Sequence, residues 1–186
     1  MRNIVLCIAA LCVGAFVLIA NNGSVIAQDA LPLPPTAPQV VTIPPPLEGI
    51  PPPVGNVPQD LAMQHLSIST ATGNVHDFNV EVAKTQMQQA TGMMYRHHIP
   101  KDTAMLFIFN EEKERYFWMK NTWIPLDMLF IRRDGIITHV HSMAVPNSLT
   151  PISSNGPAFA VLELAGGVSD ALNINIGDRV VFEDFE

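Results

Sequence analysis

The chain has 186 residues, of which 48% are hydrophobic, and it carries a formal charge of −7 at pH 7. An acidic chain lacks the basic face that nucleic-acid binding requires, so we expect no nucleic-acid partner. Its two cysteines, Cys7 and Cys12, both lie near the N-terminus. The rest of the chain therefore has no disulfide framework, zinc–thiolate site or thiol nucleophile.

An unbroken apolar run from Ile4 to Ala20 follows a single positive charge at Arg2. This pattern predicts a signal peptide at residues 1–27, with cleavage after the small residue Ala27. The run is also long enough to be retained as an N-terminal membrane anchor. Either alternative places the acidic remainder outside the cytoplasm, so we expect a periplasmic or secreted protein that meets the membrane only through this segment.

Residues 28–60 contain eleven of the 16 prolines in the chain. Proline fixes φ and cannot donate a backbone hydrogen bond, so this composition predicts an extended, semi-rigid linker. The folded part is therefore expected to be a single globular domain at residues 61–186.

Apolar runs predict seven short strands in this domain. They lie at about residues 65–69, 78–82, 105–109, 128–132, 136–141, 159–164 and 179–182. Thr85 and Gln88 form a capping box, which predicts one short helix at about residues 85–95. Asp134-Gly135 between two apolar runs predicts a β-hairpin.

Two polar segments are typical of surface connections. Residues 111–115 are all charged and predict a turn, and residues 144–157 are rich in proline, serine and asparagine and predict a loop. The element order shows no βαβ alternation. We therefore predict a mainly β domain, a compact antiparallel sandwich or barrel-like fold with one short helix.

The centre of the domain is the stretch from Phe117 to Met128, which holds both tryptophans around a polar cluster. Several motifs here and around it resemble the domain of unknown function 192 family. They are Thr85, Gly92-Met93-Met94-Tyr95-Arg96, Pro100, Met105-Leu106-Phe107, Phe117–Thr122, Ile124–Asp127, Ser154-Asn155, Val161-Leu162-Glu163 and Ile176-Gly177-Asp178.

The resemblance covers residues 63–182 and implies a compact, mainly β domain, often behind a signal peptide in bacteria. It implies no established activity. Met93 departs from the pattern, because the family usually has leucine after the glycine; the two side chains are close in volume.

The densest polar set suggests a binding site for a small polar or carbohydrate-like ligand, in which aromatic platforms are joined by a few placed polar groups. The candidate residues are Arg96, Trp118, Lys120, Asn121, Thr122, Asp127 and Glu163. A structural alternative has Asn121 and Thr122 in a turn and Lys120 paired with Asp127. The favoured interpretation is a binding or accessory module for a small ligand or a cell-envelope component, without enzymatic activity.

Two other functions remain open from the sequence. Asp127 and Glu163 would serve a hydrolase or lyase if they share a cleft, since such chemistry needs two carboxylates at a defined separation. His139, His141 and Met143 alternate along one predicted strand and would share a face. Two imidazoles and a thioether suit copper, so these residues predict a metal-handling site; otherwise we expect no cofactor.

Overall fold

The computed structural model describes residues 57–185. The predicted signal peptide or anchor at 1–27 lies outside these residues, as does the predicted linker up to residue 56. Residues 57–185 form seven strands and two short helices, and none of these helices is long and apolar enough to cross a membrane.

The elements follow one another as β1 (Met63–Ser69), β2 (Val75–Ala83), α1 (Gln86–Thr91), β3 (Thr103–Phe117), β4 (Leu126–Ile131), β5 (Ile137–Ala144), β6 (Ile152–Ala165), α2 (Val168–Ala171) and β7 (Arg179–Val181). All strands belong to one sheet in the order β5-β4-β6-β3-β2-β1-β7. The sheet curls so far that its two edges meet at a bridge between Ile136 and Arg179.

The mainly β fold is confirmed, but one strand pair departs from the antiparallel arrangement that the sequence predicts. β2 and β3 pair in parallel, with Asn79 opposite Thr103 and Ala83 opposite Phe107, whereas the other pairs are antiparallel. A parallel pair requires a crossover, and α1 with the loop after it provides this. Because α1 is short and is followed by a loop, the sequence pattern does not show the β2-α1-β3 unit.

The predicted capping box is present at the start of α1. Thr85 accepts a hydrogen bond from the backbone N–H of Gln88, and the Gln88 side chain accepts one from the Thr85 N–H. The helix ends earlier than predicted, because Gly92 adopts φ +48 and stops it after Thr91. The loop after Gly92 is thereby free to fold back over the sheet.

Two predictions of surface connections are largely wrong, the charged turn at 111–115 and the polar loop at 144–157. β3 continues through the charged segment, and β6 begins at Ile152, because the two segments pair with each other. Phe117 lies opposite Ile152, and its ring packs against Phe107 at 5.2 Å between centroids. Cross-strand pairing and aromatic packing thus override the local composition.

Both faces of the sheet are buried. One face, here called the leucine face, carries Leu106, Leu129 and Leu162 in the larger hydrophobic cluster. The other, here called the methionine face, carries Met105 and Met128 in the second cluster. Residues 93–124 contribute the cover of the methionine face through a few buried side chains, namely Met93, Ile99, Met119 and Ile124.

We predict that Gly135 is the least replaceable residue of the β4–β5 hairpin. It has φ +81, and an added Cβ would lie 2.4 Å from the carbonyl oxygen of Val180. Gly135→Ala should therefore cost about 2–4 kcal/mol in urea unfolding, from backbone strain and a clash together.

Gly73→Ala is the matched control, because Gly73 has φ +86 but nothing within 4 Å of an added Cβ. This variant should lose only the strain part, about 1–2 kcal/mol. Equal losses for the two variants would show that the contact with Val180 does not matter.

Candidate functional site

A row of paired residues crosses the methionine face from β2 to β5. Glu81 lies opposite Met105, which lies opposite Glu163. Glu163 in turn lies opposite Met128, which lies opposite His141. Residues paired in register point to the same side of a sheet. The row therefore places Glu81 and Glu163 on one buried face, about 10 Å apart along the strand-to-strand direction.

Arg96 lies over this row, on the loop that follows α1. Its Nη2 donates to Glu81 Oε2 at 2.6 Å and to the carbonyl oxygen of Gln59 at 2.7 Å. The pair is well shielded, because the side chains of Arg96 and Glu81 are only 13% and 7% exposed. Arg96 Nε is also buried and has no acceptor within the described residues.

Gln59 fastens the residues that precede β1 to this loop. Its Nε2 donates to the carbonyl oxygens of Gln88 and Gly92 at 3.0 and 2.9 Å. These carbonyls lie at the C-terminal end of α1, and the Gln88 carbonyl oxygen also accepts from the Gly92 N–H at 2.9 Å. One glutamine thus closes the helix end and presents its own carbonyl oxygen to Arg96.

Glu163 is the most unusual group of this row. It is 4% exposed, and its Oε2 has no hydrogen-bond partner in the described part of the chain. Burial raises the pKa of this carboxyl to about 8, and the nearby positive charge of Arg96 opposes that rise only in part. Glu163 is therefore a neutral acid near pH 7.

A solvent-open cleft of about 500 Å³ lies beside Arg96. Its lining combines aromatic rings with polar and charged side chains. The lining residues are Pro58, Gln59, Asp60, Glu81, Tyr95, Arg96, His97, His98 and Trp123. Its volume lies within the range of small-molecule sites, although its lining is more polar than is usual for them.

Asn121 holds the aromatic side chains of the cleft in place. Trp123, 39% exposed, packs against Tyr95 and His97 with ring centroids 5.9 and 4.4 Å away. Asn121 Nδ2 donates to the Tyr95 hydroxyl at 3.0 Å, and the Tyr95 N–H donates to the Asn121 carbonyl oxygen. Tyr95 and Asn121 both have positive φ, at 66° and 55°. This strain is sustained by the mutual bonding of the two segments.

The structure brings only some of the predicted ligand residues together. Arg96 lines the cleft, and Asn121 supports it by orienting Tyr95. Thr122 is buried in a turn, where its hydroxyl donates to the Lys120 carbonyl oxygen. Lys120 is exposed, and its ammonium lies 5.1 Å from the centre of the Trp118 ring. Neither Trp118 nor Lys120 is among the residues that line the cleft.

Asp127 has a structural environment on the other side of the sheet. It lies opposite Leu164 on the leucine face and is fully buried. Its Oδ1 accepts from the N–H groups of Met143 and Gly167, and its Oδ2 accepts from the N–H and hydroxyl of Ser169. Four donors thus saturate the carboxylate and tie β4 to β5 and to α2.

Two sequence-based pairings involving Asp127 are therefore wrong. Lys120 is not its partner, because backbone donors and Ser169 take that place. Asp127 and Glu163 do not share a cleft either, because they sit on adjacent strands but on opposite faces of the sheet. Periodicity along one strand gives the face of each residue only after the register between strands is known.

The predicted copper ligands are partly separated. His139 and His141 remain on one face, where burial and then the charge of His141 lower the pKa of His139. His139 also stacks on Phe130, with ring centroids 5.6 Å apart. A register shift falls between His141 and Ala144, and Met143 there adopts φ 55. Its alternation with the histidines is thus broken. Residues 57–185 hold no group of three or more His, Cys, Asp or Glu arranged for a metal ion.

Sequence reasoning missed Glu81, Tyr95 and His97. In the run from Phe78 to Val82 the apolar residues alternate, so Glu81 looks like a solvent-facing residue. It is buried because the sheet is covered on both faces. The Arg96 that pairs with Glu81 is 15 residues further along the chain, and local patterns give no sign of this contact.

Comparison with known proteins places the domain in a family of uncharacterised β-rich proteins. The model of the domain of unknown function 192 family, described as "Uncharacterized ACR", matches residues 67–182, more than half of the chain. The chain belongs to this family, as its motifs predicted. A search of curated proteins gives no match.

Two crystal structures are similar over the domain. A Sinorhizobium meliloti 1021 protein, provisionally described as a transcription regulator, is 42% identical; the match covers 68% of this chain and 97% of that chain, with a TM-score of 0.64. A protein of unknown function from Novosphingobium aromaticivorans DSM 12444 is 33% identical; the match covers 70% and 95% of the two chains, also with a TM-score of 0.64.

We predict that Asp127→Asn destabilises the domain strongly. The new amide would turn a donor toward backbone N–H groups that now donate to the carboxylate. A loss of roughly 3–5 kcal/mol is expected in urea unfolding. Lys120→Met, the control, should change stability by less than about 0.5 kcal/mol, because Lys120 is exposed. Similar losses of stability in both variants would indicate instead that Lys120 and Asp127 form a pair.

We also predict that Glu163 makes stability fall as pH rises. Its folded-state pKa of about 8 exceeds its ordinary value of 4.5, so between these values the folded protein binds more protons than the unfolded chain. The slope reaches at most about 1.4 kcal/mol per pH unit, or roughly 3 kcal/mol of lost stability by pH 7.

Glu163→Gln keeps the shape and removes the ionisation. The stability difference between this variant and the wild type should be small near pH 4.5, favour the variant at pH 7, and level off above about pH 8. Urea unfolding at several pH values measures it. A difference that does not change with pH would mean that Glu163 is ionised in the folded protein throughout.

Proposed function

We propose that this domain binds a small polar, carbohydrate-like ligand in the cleft between Arg96 and Trp123, and that it serves as an accessory module of an exported protein. One observation supports the proposal most directly. A partly exposed tryptophan stands beside a buried polar cluster in an open cleft of about 500 Å³. Aromatic faces pack on the apolar side of a sugar ring, while fixed polar groups bond its hydroxyls.

The charges of the cleft favour a neutral ligand. Arg96 is the one Lys or Arg among the lining residues, and Glu81 already compensates its charge. Glu163 beneath them is uncharged near pH 7. Asp60 adds an acidic group at the exposed rim. A strongly anionic ligand would meet no net positive charge, whereas a hydroxyl can both accept from Arg96 and donate to a carboxylate.

The alternative functions have weaker support. A hydrolase or lyase built on Asp127 and Glu163 is disfavoured by their placement on opposite faces. A role in transcription regulation, as described for the Sinorhizobium meliloti protein, is disfavoured for this chain. Its charge of −7 does not suit nucleic-acid binding.

The test compares the two tryptophans. The full chain is titrated calorimetrically with a panel of neutral mono- and oligosaccharides, and Trp123→Ala should weaken the binding of any positive saccharide about tenfold or more. Trp118→Ala is the matched control, since Trp118 lies in the same segment but outside the lining of the cleft, and it should leave affinity within about twofold. Absence of binding at millimolar saccharide, or equal losses in the two variants, would contradict the proposal.

A further inference from the structure

The described part of the chain begins at the rim of the cleft. Pro58 and Gln59 are among the residues that line it. Gln59 is fixed there, because its side chain bonds to the end of α1 and its carbonyl oxygen accepts from Arg96. The residues that precede Val57 are therefore attached at a defined place beside the cleft, which gives them a high effective concentration for it.

The sequence just before this point is rich in proline and carries no charge. Ile50 is followed by three prolines, and no charged residue occurs between Ile50 and Val57. The same pattern of one isoleucine and three prolines occurs earlier, at residues 43–46. Such runs favour polyproline II, a conformation without internal hydrogen bonds, so their backbone carbonyl oxygens need donors from elsewhere.

Three rings in the lining of the cleft, here called the aromatic cluster, suit a segment of this kind. They belong to Tyr95, His97 and Trp123, and Trp123, 39% exposed, contacts both of the others. Because Asn121 Nδ2 donates to the Tyr95 hydroxyl at 3.0 Å, the Tyr95 O–H can itself donate to a carbonyl oxygen. Aromatic-lined grooves are the usual binding surfaces for proline-rich segments.

We propose that residues 50–53 of this chain dock against the aromatic cluster and occupy the cleft when no ligand is bound. A ligand then has to displace this segment before it can bind. The docking does not depend on what the ligand is. The competition rests on the function proposed above, because it requires a saccharide to use the same aromatic surface.

The connection between the segment and the cleft has a suitable length. Pro53 lies five residues before Pro58, and five extended residues reach about 15 Å. A compact space of about 500 Å³ is about 8 Å across, close to one turn of polyproline II, which is about 9 Å long. Gly55-Asn56 lies between the two prolines, and both residue types are common where a chain reverses direction.

The earlier proline run is a poorer candidate and serves as the control. The connection from residues 43–46 to Pro58 is more than twice as long, which lowers the effective concentration of that run. It also contains the acidic Glu48, whereas the rim of the cleft already carries the carboxylate of Asp60. The run at residues 50–53 meets neither disadvantage.

The first experiment detects the docked segment directly and needs no ligand. Nuclear Overhauser effects between the Trp123 ring and proline ring protons are measured in the isotope-labelled full chain. We expect contacts to Trp123 from residues 51–53 and none from residues 44–46, at every protein concentration. Absence of contacts from residues 51–53 would overturn the proposal. Contacts that disappear on dilution would also overturn it, because they would come from a second copy of the chain.

Two triple variants of the full chain test the assignment. Serine replaces all three prolines at 51–53 in one variant and all three at 44–46 in the other, so neither change touches the folded residues 57–185. The first variant should shift the indole N–H signal of Trp123. The signal of Trp118, which lies outside the lining of the cleft, should not move in either variant. Equal shifts of the Trp123 signal in both variants would contradict docking by residues 50–53.

The last experiment measures the competition with a neutral saccharide that binds in the calorimetric panel. Its affinity should rise about threefold or more in the 51–53 variant, because apparent affinity scales with the fraction of molecules whose cleft is open. The 44–46 variant should stay within about twofold of the wild type. An unchanged affinity in the 51–53 variant would overturn the competition. If no saccharide binds, the proposed function fails, while the contacts to Trp123 still decide the docking.

Discussion

Burial of both faces of a single curled sheet is the constraint on which the rest of this structure depends. In a half-exposed sheet, acidic residues on the outer face point into water. Here each acidic side chain that faces a covered side must find donors inside the protein or remain protonated, because an unpaired buried charge is costly. The cover over the methionine face supplies Arg96, which pairs with Glu81 and acts on Glu163 only through its charge.

The domain meets this constraint in two different ways on its two faces. On the leucine face, Asp127 is surrounded by four donors from the backbone and Ser169, so it holds β4, β5 and α2 together. On the methionine face, Glu163 gains no donor and remains protonated. A group left in this condition reduces stability, and proteins commonly retain such groups where they serve a function. The cleft of the proposed ligand site lies beside Arg96, which covers the methionine face.

The sequence predicts those parts of the fold that local chemistry controls. The Thr85–Gln88 capping box and the Asp134-Gly135 hairpin depend on neighbouring residues, and both are present. The extension of β3 to Phe117 and the parallel β2–β3 pair depend on partners distant in the chain, so composition alone misplaces them.

The candidate site follows the same rule. Arg96 and Glu163 stand out as polar residues in motifs of the family, but Glu81 does not, because its burial depends on a cover formed by residues 93–124. The expectation that Asp127 shares a site with Glu163 fails for a related reason: the direction of a side chain in a sheet requires the register between strands, which a single sequence does not contain.

Gln59 connects the site to the residues that precede β1, independently of the sheet. Its side chain is bonded to the end of α1, and its carbonyl oxygen accepts from Arg96. A pull on the chain that precedes residue 57 would reach these bonds before it reached β1, which begins at Met63. Tension along the N-terminal segment would therefore act first on the guanidinium that holds the cleft. Mechanical load on the N-terminal side of the domain would then change the lining of the proposed ligand cleft.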